Sequence, residues 1–257
     1  MASAHFDLRL RLASGEPFLF SWMTVPSPAL AGQVARLPFD GVCLDMQHGM
    51  IGFSDSVGMI AAINAAGRPA LVRSLWNDAA TPGQCFDAGA ACVIAPMVNT
   101  RAQAEALVRA AKYPPMGSRS WGGYTAQQTS GLTPAEYLRE ANRISLVFAM
   151  VETVEALENV EAIAATPGLD GLFVGPSDLS IALSKGAGVN KTGKETLAAM
   201  TRVAAAAGKN GLVAGAFGGS AQGVRAYLGL GFTFIAAAVD VDLMQWGAAE
   251  LNKALGV

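Results

Sequence analysis

Along the chain, short runs that are almost continuously apolar alternate with longer stretches in which apolar residues recur at helical spacing. The runs are Pro17–Thr24, Gly41–Asp45, Pro69–Arg73, Ala91–Met97, Ser145–Val151, Asp170–Gly175, Gly211–Phe217 and Thr233–Val239. A strand with one wet face alternates apolar and polar residues. These runs do not, which predicts parallel strands covered on both faces. The stretches between them carry helix punctuation. Thr100 with Gln103, and Thr133 with Pro134 and Glu136, fit the capping box, in which the hydroxyl and the side chain three residues on satisfy each other's orphan N–H groups. Ser54 and Ser220 are further candidate caps, and Gly89, Gly168, Gly211 and Gly231 stand just before strands, where a left-handed residue ends a helix. Asp242–Leu255 reads as a closing helix. Eight strand–helix units without a linker predict an α/β fold, a single (β/α)8 TIM barrel over residues 1–257, with a doubly wound sheet as the alternative. One segment breaks the rhythm: Tyr113–Leu132, rich in Gly, Ser and aromatic residues, reads as a long functional or flexible loop.

Composition narrows the class of partner. The chain has 257 residues, 52% hydrophobic and 15% charged, enough apolar mass for a large core. A net charge of −2 without a basic run lacks the electrostatic footprint of a nucleic-acid binder, so the expected partner is a small molecule. No stretch approaches the roughly 18 apolar residues that span a bilayer. Asp7, Arg9 and Arg11 interrupt the N-terminus where a signal peptide needs an apolar core, so no membrane partner is expected. Cys43, Cys85 and Cys92 form no CxxC pair and read as buried free thiols of a protein in a reducing cytoplasm.

In a barrel the catalytic groups gather where strands end, so polar residues that close an apolar run carry the information. Those ends supply Trp22, Asp45, Gln47, His48, Arg73, Glu152, Asp178, Phe217 and Asp240. Glu152 and Asp178 come from neighbouring strands, and two carboxylates with room for water and substrate suit a hard divalent ion such as Mg2+ or Mn2+. Each acid alone fits a helix cap or a surface ion pair as well. With two histidines and no cysteine cluster, a structural zinc site is not expected. His48 follows Asp45 by three residues, near enough for the carboxylate to orient the imidazole as a general base, the alternative being an ordinary polar contact. His5 has no such company and reads as a surface group. Arg73 closes an otherwise apolar strand and must be paired, either with a structural acid or with an anionic ligand. The stretch GPSDLS, residues 175–180, leaves a strand through Gly and Pro into a short helix whose N–H groups can hold a carboxylate.

Six ordered motifs, FDGVCLDMQHG (39–49), LVRSLWND (71–78), FDAGAACVIAPMV (86–98), YPPMGSR (113–119), VETVEAL (151–157) and VGPSDLS (174–180), resemble those of the HpcH/HpaI aldolase family. The resemblance implies a (β/α)8 barrel, usually a hexamer built as a trimer of dimers that exchange their last helix. It also implies reversible cleavage of 4-hydroxy-2-oxo acids to pyruvate, or a hydroxypyruvate-like donor, and an aldehyde, with a divalent metal ion (Mg2+, Mn2+ or Co2+) as cofactor. Carried over by position, Glu152 and Asp178 become the metal ligands, and Arg73 binds the 2-oxo oxygen. His48, oriented by Asp45, transfers protons, and Asp87 is a further acid near the site. Gly175, Pro176, Ser177 and Asp178 offer backbone contacts to the donor carboxylate, while Trp22, Gln47 and Phe217 complete the substrate contacts. The chain departs from the family pattern at Met46 and Gln47, where Gly-Glu is frequent, at Met150, where a glutamine is common, and mildly at Ser177. These departures leave the donor acid and the acceptor aldehyde open.

A carbanion beside a ketone needs charge stabilisation, which metal and arginine supply in place of a lysine iminium. The lysines, Lys112, Lys185, Lys191, Lys194, Lys209 and Lys253, fall in helical or loop segments away from the strand ends, so Schiff-base chemistry is not expected. Three alternatives stand beside the aldolase: an acyl-CoA carbon–carbon lyase, a phosphate-binding barrel using GAFGGS (215–220), and a non-catalytic binding barrel.

Overall fold

The computed structural model describes residues 4–256 apart from Asn77 and Ala79. The side chain of His5 lies outside the described residues. The first half runs α1 (Ala4–Ala13), β1 (Phe18–Met23), α2 (Pro28–Val34), β2 (Gly41–Asp45), α3 (Phe53–Ala65), β3 (Ala70–Arg73), α4 (Thr81–Asp87), β4 (Cys92–Ala95), α5 (Arg101–Ala111), α6 (Tyr124–Ser130) and α7 (Pro134–Ile144). The second half runs β5 (Leu146–Val151), α8 (Val154–Glu158), α9 (Val160–Ala164), β6 (Gly171–Val174), α10 (Pro176–Leu183), α11 (Lys194–Lys209), β7 (Val213–Phe217), α12 (Ala221–Leu228), β8 (Phe234–Val239) and α13 (Asp240–Leu255). The strands are parallel and close into a barrel in sequence order, β8 pairing with β1. This is the (β/α)8 architecture, and the doubly wound alternative is ruled out by that closure.

Each apolar run contains a strand, Gly41–Asp45 in full and the others with one or both ends trimmed. The run Ala91–Met97 stops at Ala95 because Pro96 has no N–H for the ladder and Met97 turns left-handed at φ 58. Both capping boxes form, at Thr100 and Thr133, and Ser220 caps α12 by accepting from the Gly223 N–H. Ser54 does not cap. The cap stands two residues earlier, at Gly52, where Asp55 accepts the cap N–H, and the helix begins at Phe53. Gly89, Gly168, Gly211 and Gly231 all carry positive φ, as helix ends require. The segment Tyr113–Leu132 is not a structureless loop: it contains α6, and Arg119 is buried within it between the rings of Phe86 and Tyr113.

Two apolar layers position the site. Outside the strands, Val42, Val72, Val147 and Val174 pack against helical residues such as Ile60, Phe86 and Met200. Inside the barrel, Phe18, Phe20, Trp22, Phe148, Phe173 and Phe234 form one cluster, with Phe20 and Phe148 rings 4.5 and 4.7 Å from Phe234. Room for these rings comes from Gly171, where a Cβ would stand 2.1 Å from Phe148 Cε1. Leu8 and Leu12 of α1 join the same cluster and close the end where the strands begin. The barrel interior is therefore filled by these rings below the last inward position of each strand, and a cavity remains above them at the opposite mouth. No helix among the described residues is long and apolar enough to cross a membrane.

Candidate active site

β2 and β3 run in register, so Asp45 and Arg73 are direct neighbours at the mouth. Arg73 donates from Nε to Asp45 Oδ1 at 2.9 Å and from Nη2 to Oδ2 at 2.6 Å, a two-pronged pair. Trp22 Nε1 donates to Oδ2 at 3.1 Å, and the Gln47 and His48 backbone N–H groups donate to Oδ1 at 3.0 and 3.1 Å. One carboxylate thus fixes the arginine, the tryptophan and the turn that carries His48. Burial works to raise the Asp45 pKa, but the Arg73 fork, the Trp22 N–H and the His48 N–H outweigh it and hold the carboxyl below its ordinary value. The Arg73 guanidinium carbon lies 5.0 Å from the centre of the Trp22 ring, and Phe217 meets that ring edge-on at 5.2 Å.

Across the mouth, β5 and β6 align Val151 with Val174, which brings the next residues, Glu152 and Gly175, side by side. Gly175 is required by close approach: a Cβ there would stand 2.5 Å from Glu152 Oε2 and 2.7 Å from Met150 Cε. Glu152 is 2% exposed and accepts a hydrogen bond from the Met97 N–H at 2.8 Å, which explains the strained backbone at Met97. Burial lifts the Glu152 carboxyl to about 7, the Met97 N–H offsetting only part of the rise and the charge of Asp178 adding to it. Asp178 itself is exposed in the first turn of α10, which Gly175 caps without a side-chain bond and Pro176 opens.

These groups frame a pocket of about 240 Å³. Trp22, Thr24, Asp45, His48, Arg73 and Met150 line one part of it, and Gly175, Pro176, Ser177, Asp178, Phe217 and Val239 the rest. Val239 faces this pocket because β8 carries a bulge, its pairing with β1 jumping from Phe20–Ala236 to Ser21–Ala238.

The profile of the HpcH/HpaI aldolase/citrate lyase family matches residues 19–245. A hydroxypyruvate/pyruvate aldolase of Rhizorhabdus wittichii is 37% identical over 92% of this chain and 93% of its own length. A second protein of that name, from Pseudomonas aeruginosa, is 35% identical over 94% of this chain and 89% of its own. The crystal structure of a HpcH/HpaI aldolase/citrate lyase family protein from Burkholderia cenocepacia superposes with a TM-score of 0.88 at 30% identity, covering 98% of this chain and 99% of that one. The chain belongs to the HpcH/HpaI aldolase/citrate lyase family. It is an aldolase, a carbon–carbon lyase.

The aldolase barrel does not gather every residue expected at its mouth. Asp87 is the last residue of α4, on the side where the chain returns to the start of β4, and it pairs with Arg119 at 2.6 Å instead of lining the pocket. Gln47 is half-buried, is not among the lining residues, and leaves its Oε1 without a hydrogen-bond partner. Asp45 reaches the backbone of His48, not its imidazole, because its oxygens are committed to Arg73, Trp22 and the turn. Asp240 opens α13 and accepts from the Thr24 N–H and Oγ1 and the Val25 N–H, tying down the exit of β1. The GAFGGS turn is no phosphate cradle: the Gly218 and Gly219 N–H groups both donate to Ala236 O. Sequence reasoning missed Thr24, Met97 and Val239 as site residues, and marked Met150 only as a departure from the family pattern. Of the three missed, Met97 alone left a trace, as the residue after Pro96 in a run too long for its strand.

Proposed function

We propose that the chain is a divalent-metal-dependent aldolase that reversibly splits a 4-hydroxy-2-oxo acid into pyruvate, or a hydroxypyruvate-type donor, and an aldehyde. The observation that carries this reading is Glu152: a carboxylate buried beside Gly175, with one backbone N–H as its partner and Asp178 as its electrostatic neighbour. An acid whose ionisation is opposed by burial and by a second acid nearby is what a cation relieves. Among the described residues no group of three His, Cys, Asp or Glu side chains converges, so the protein offers two oxygen ligands and leaves the other positions to substrate and water. That donor set fits Mg2+, Mn2+ or Co2+. When bound, the ion withdraws electron density from the 2-oxo group and so stabilises enolate charge.

The chain's own residues do the rest. The first turn of α10, Gly175 to Asp178, presents backbone N–H groups to the donor carboxylate. Arg73, with Nε and Nη2 held by Asp45, is left with Nη1 to donate to the 2-oxo oxygen as negative charge builds there. In the cleavage direction His48 takes the proton of the 4-hydroxyl, the C3–C4 bond breaks, the aldehyde departs, and C3 of the enolate is reprotonated to give the 2-oxo acid. Trp22 and Phe217 wall the pocket and exclude water from the carbanion.

Chelation followed by desalting is expected to abolish aldol cleavage, and Mg2+, Mn2+ or Co2+ to restore it. Glu152→Gln and Asp178→Asn each weaken that restoration. Among the described residues no lysine lines the pocket, so borohydride with pyruvate is expected to leave the protein mass unchanged. A lysine adduct, or full activity in metal-free protein, overturns this mechanism.

We also propose a homo-oligomer, a hexamer of paired chains in the cytoplasm. Support comes from α13, where every residue after Asp240 is at least partly exposed and Trp246, Leu251 and Leu255 are 47%, 60% and 67% exposed, an apolar surface suited to exchange with another copy. The buried free thiols of Cys43, Cys85 and Cys92 suit a reducing compartment.

A further inference from the structure

Where the barrel closes, β8 runs directly into α13, and the first residue of that helix is Asp240. The rest of α13 is at least partly exposed, yet Asp240 is 2% exposed. An acid in a first turn ordinarily serves its own helix. Asp240 gives its helix one bond, accepting the Val241 N–H at 2.9 Å, and makes three elsewhere. The Thr24 and Val25 N–H groups donate to Oδ2, both at 3.0 Å, and the Thr24 hydroxyl donates to Oδ1 at 2.9 Å. One buried carboxylate therefore pins the exit of β1 to the exit of β8. Thr24 passes the restraint on. Its carbonyl oxygen accepts the Met50 N–H at 2.9 Å, and Gly49 lies so close that a Cβ there would stand 3.1 Å from Thr24 Cα. Gly49 and Met50 end the turn that begins at Asp45, whose Oδ1 accepts the Gln47 and His48 N–H groups. His48 is exposed between these two anchors, and both act on the backbone of the turn and neither on the imidazole.

We propose that Asp240 is a positioning residue for proton transfer: through Thr24 it holds the second anchor of the His48 turn and so sets where the imidazole stands in the pocket. The proposal rests on the reading of His48 as the base that takes the proton of the 4-hydroxyl. Asp240 does not line the pocket, and its hydrogen bonds go to Thr24, Val25 and Val241, not to Arg73 or to the α10 turn that receives the donor carboxylate. Losing it therefore moves the base against a donor that stays in place. A misplacement of about 1 Å in a reacting group can cost turnover roughly a hundredfold.

The test is a double-mutant cycle on the metal-loaded enzyme. Its readouts are kcat for cleavage of a 4-hydroxy-2-oxo acid that the wild type accepts, such as 4-hydroxy-2-oxopentanoate, and KM for pyruvate in the addition direction. Asp240→Ala is expected to lower kcat about tenfold or more with KM for pyruvate unchanged. Asp240→Asn, which keeps an acceptor for the β1 N–H groups, should recover most of that loss. In a His48→Asn background, itself strongly impaired, Asp240→Ala should cost nothing further, because the base it positions is gone. A purely structural role, in the fold or in assembly through α13, gives losses that multiply instead. If Asp240→Ala does not fold, Asp240→Asn carries the same cycle with a smaller expected loss. Multiplying losses, an unchanged kcat, or a raised KM for pyruvate with kcat kept overturns the positioning role and leaves His48 as the base. Near-normal turnover in His48→Asn alone defeats the base reading, and the positioning role with it.

Discussion

The two ends of the barrel both bury charge, and they treat it in opposite ways. At the floor, Lys112 is 1% exposed, yet its ammonium donates to Asn142 O at 2.8 Å, Ser145 O at 2.6 Å and Asp170 Oδ2 at 2.7 Å, which uses all three of its protons. Asp170 in turn accepts from Arg9 and from the Val147 N–H. Burial pulls the Lys112 pKa down and Asp170 pulls it back. At the mouth Glu152 is as deeply buried but accepts one backbone hydrogen bond, and its carboxyl rises to about 7. A buried ion whose partners are all present holds strands and helices together. A buried ion left short of partners is held ready for something that arrives later.

The contrast is broken most strongly at the floor. Lys112→Met removes the ammonium, strands two carbonyl oxygens and leaves Asp170 with only Arg9 and the Val147 N–H, so a loss of about 3 kcal/mol is expected by urea denaturation. The folded fraction of this variant should retain near-normal kcat, because nothing at the mouth changes. Little change in stability would show that the network is not what closes the barrel.

Next in size is the pH dependence of the mouth. Glu152 holds its proton more tightly in the folded chain than in the unfolded one, where the ordinary value is 4.5. Between about 4.5 and about 7 the folded state therefore binds more protons, and stability of the metal-free protein falls as pH rises through that window, levelling off above it. The full effect is at most roughly 3 kcal/mol. Glu152→Gln should flatten the slope, and saturating metal should remove it by favouring the ionised form. A flat profile in the metal-free wild type would mean that other partners already meet this carboxylate.

The smallest effect sharpens the position of Arg73, which lies between the two regimes because Asp45 satisfies half of it. Arg73→Ala would leave Asp45 buried and unpaired, confusing catalysis with stability. Arg73→Lys keeps the charge beside Asp45 but loses the fork, and a drop in kcat/KM of about tenfold, or 1.4 kcal/mol, is expected with a smaller change in melting temperature. Near-normal kcat/KM would return Arg73 to a purely structural role.

What the sequence determined by itself was whatever depends on near neighbours in the chain. The eight parallel strands, the caps at Thr100, Thr133 and Ser220, and the left-handed glycines before strands follow from local spacing, because burial on both faces and helix termination each leave a periodic or single-residue mark. The strand-end rule also picked out Trp22, Asp45, His48, Arg73, Asp178 and Phe217, all of which meet at the pocket. Tertiary structure decided the rest. It gave Asp45 to Arg73 and not to the His48 imidazole, since register between two strands, invisible in either alone, sets which carboxylate oxygen is already taken. It placed Asp87 with Arg119 at the far side of α4, and it turned Val239 into the mouth through a bulge that exists only in the pairing of β8 with β1. The charge left unmatched at Glu152 is likewise a property of the closed barrel: only there does burial deny water to one acid while a second stands nearby.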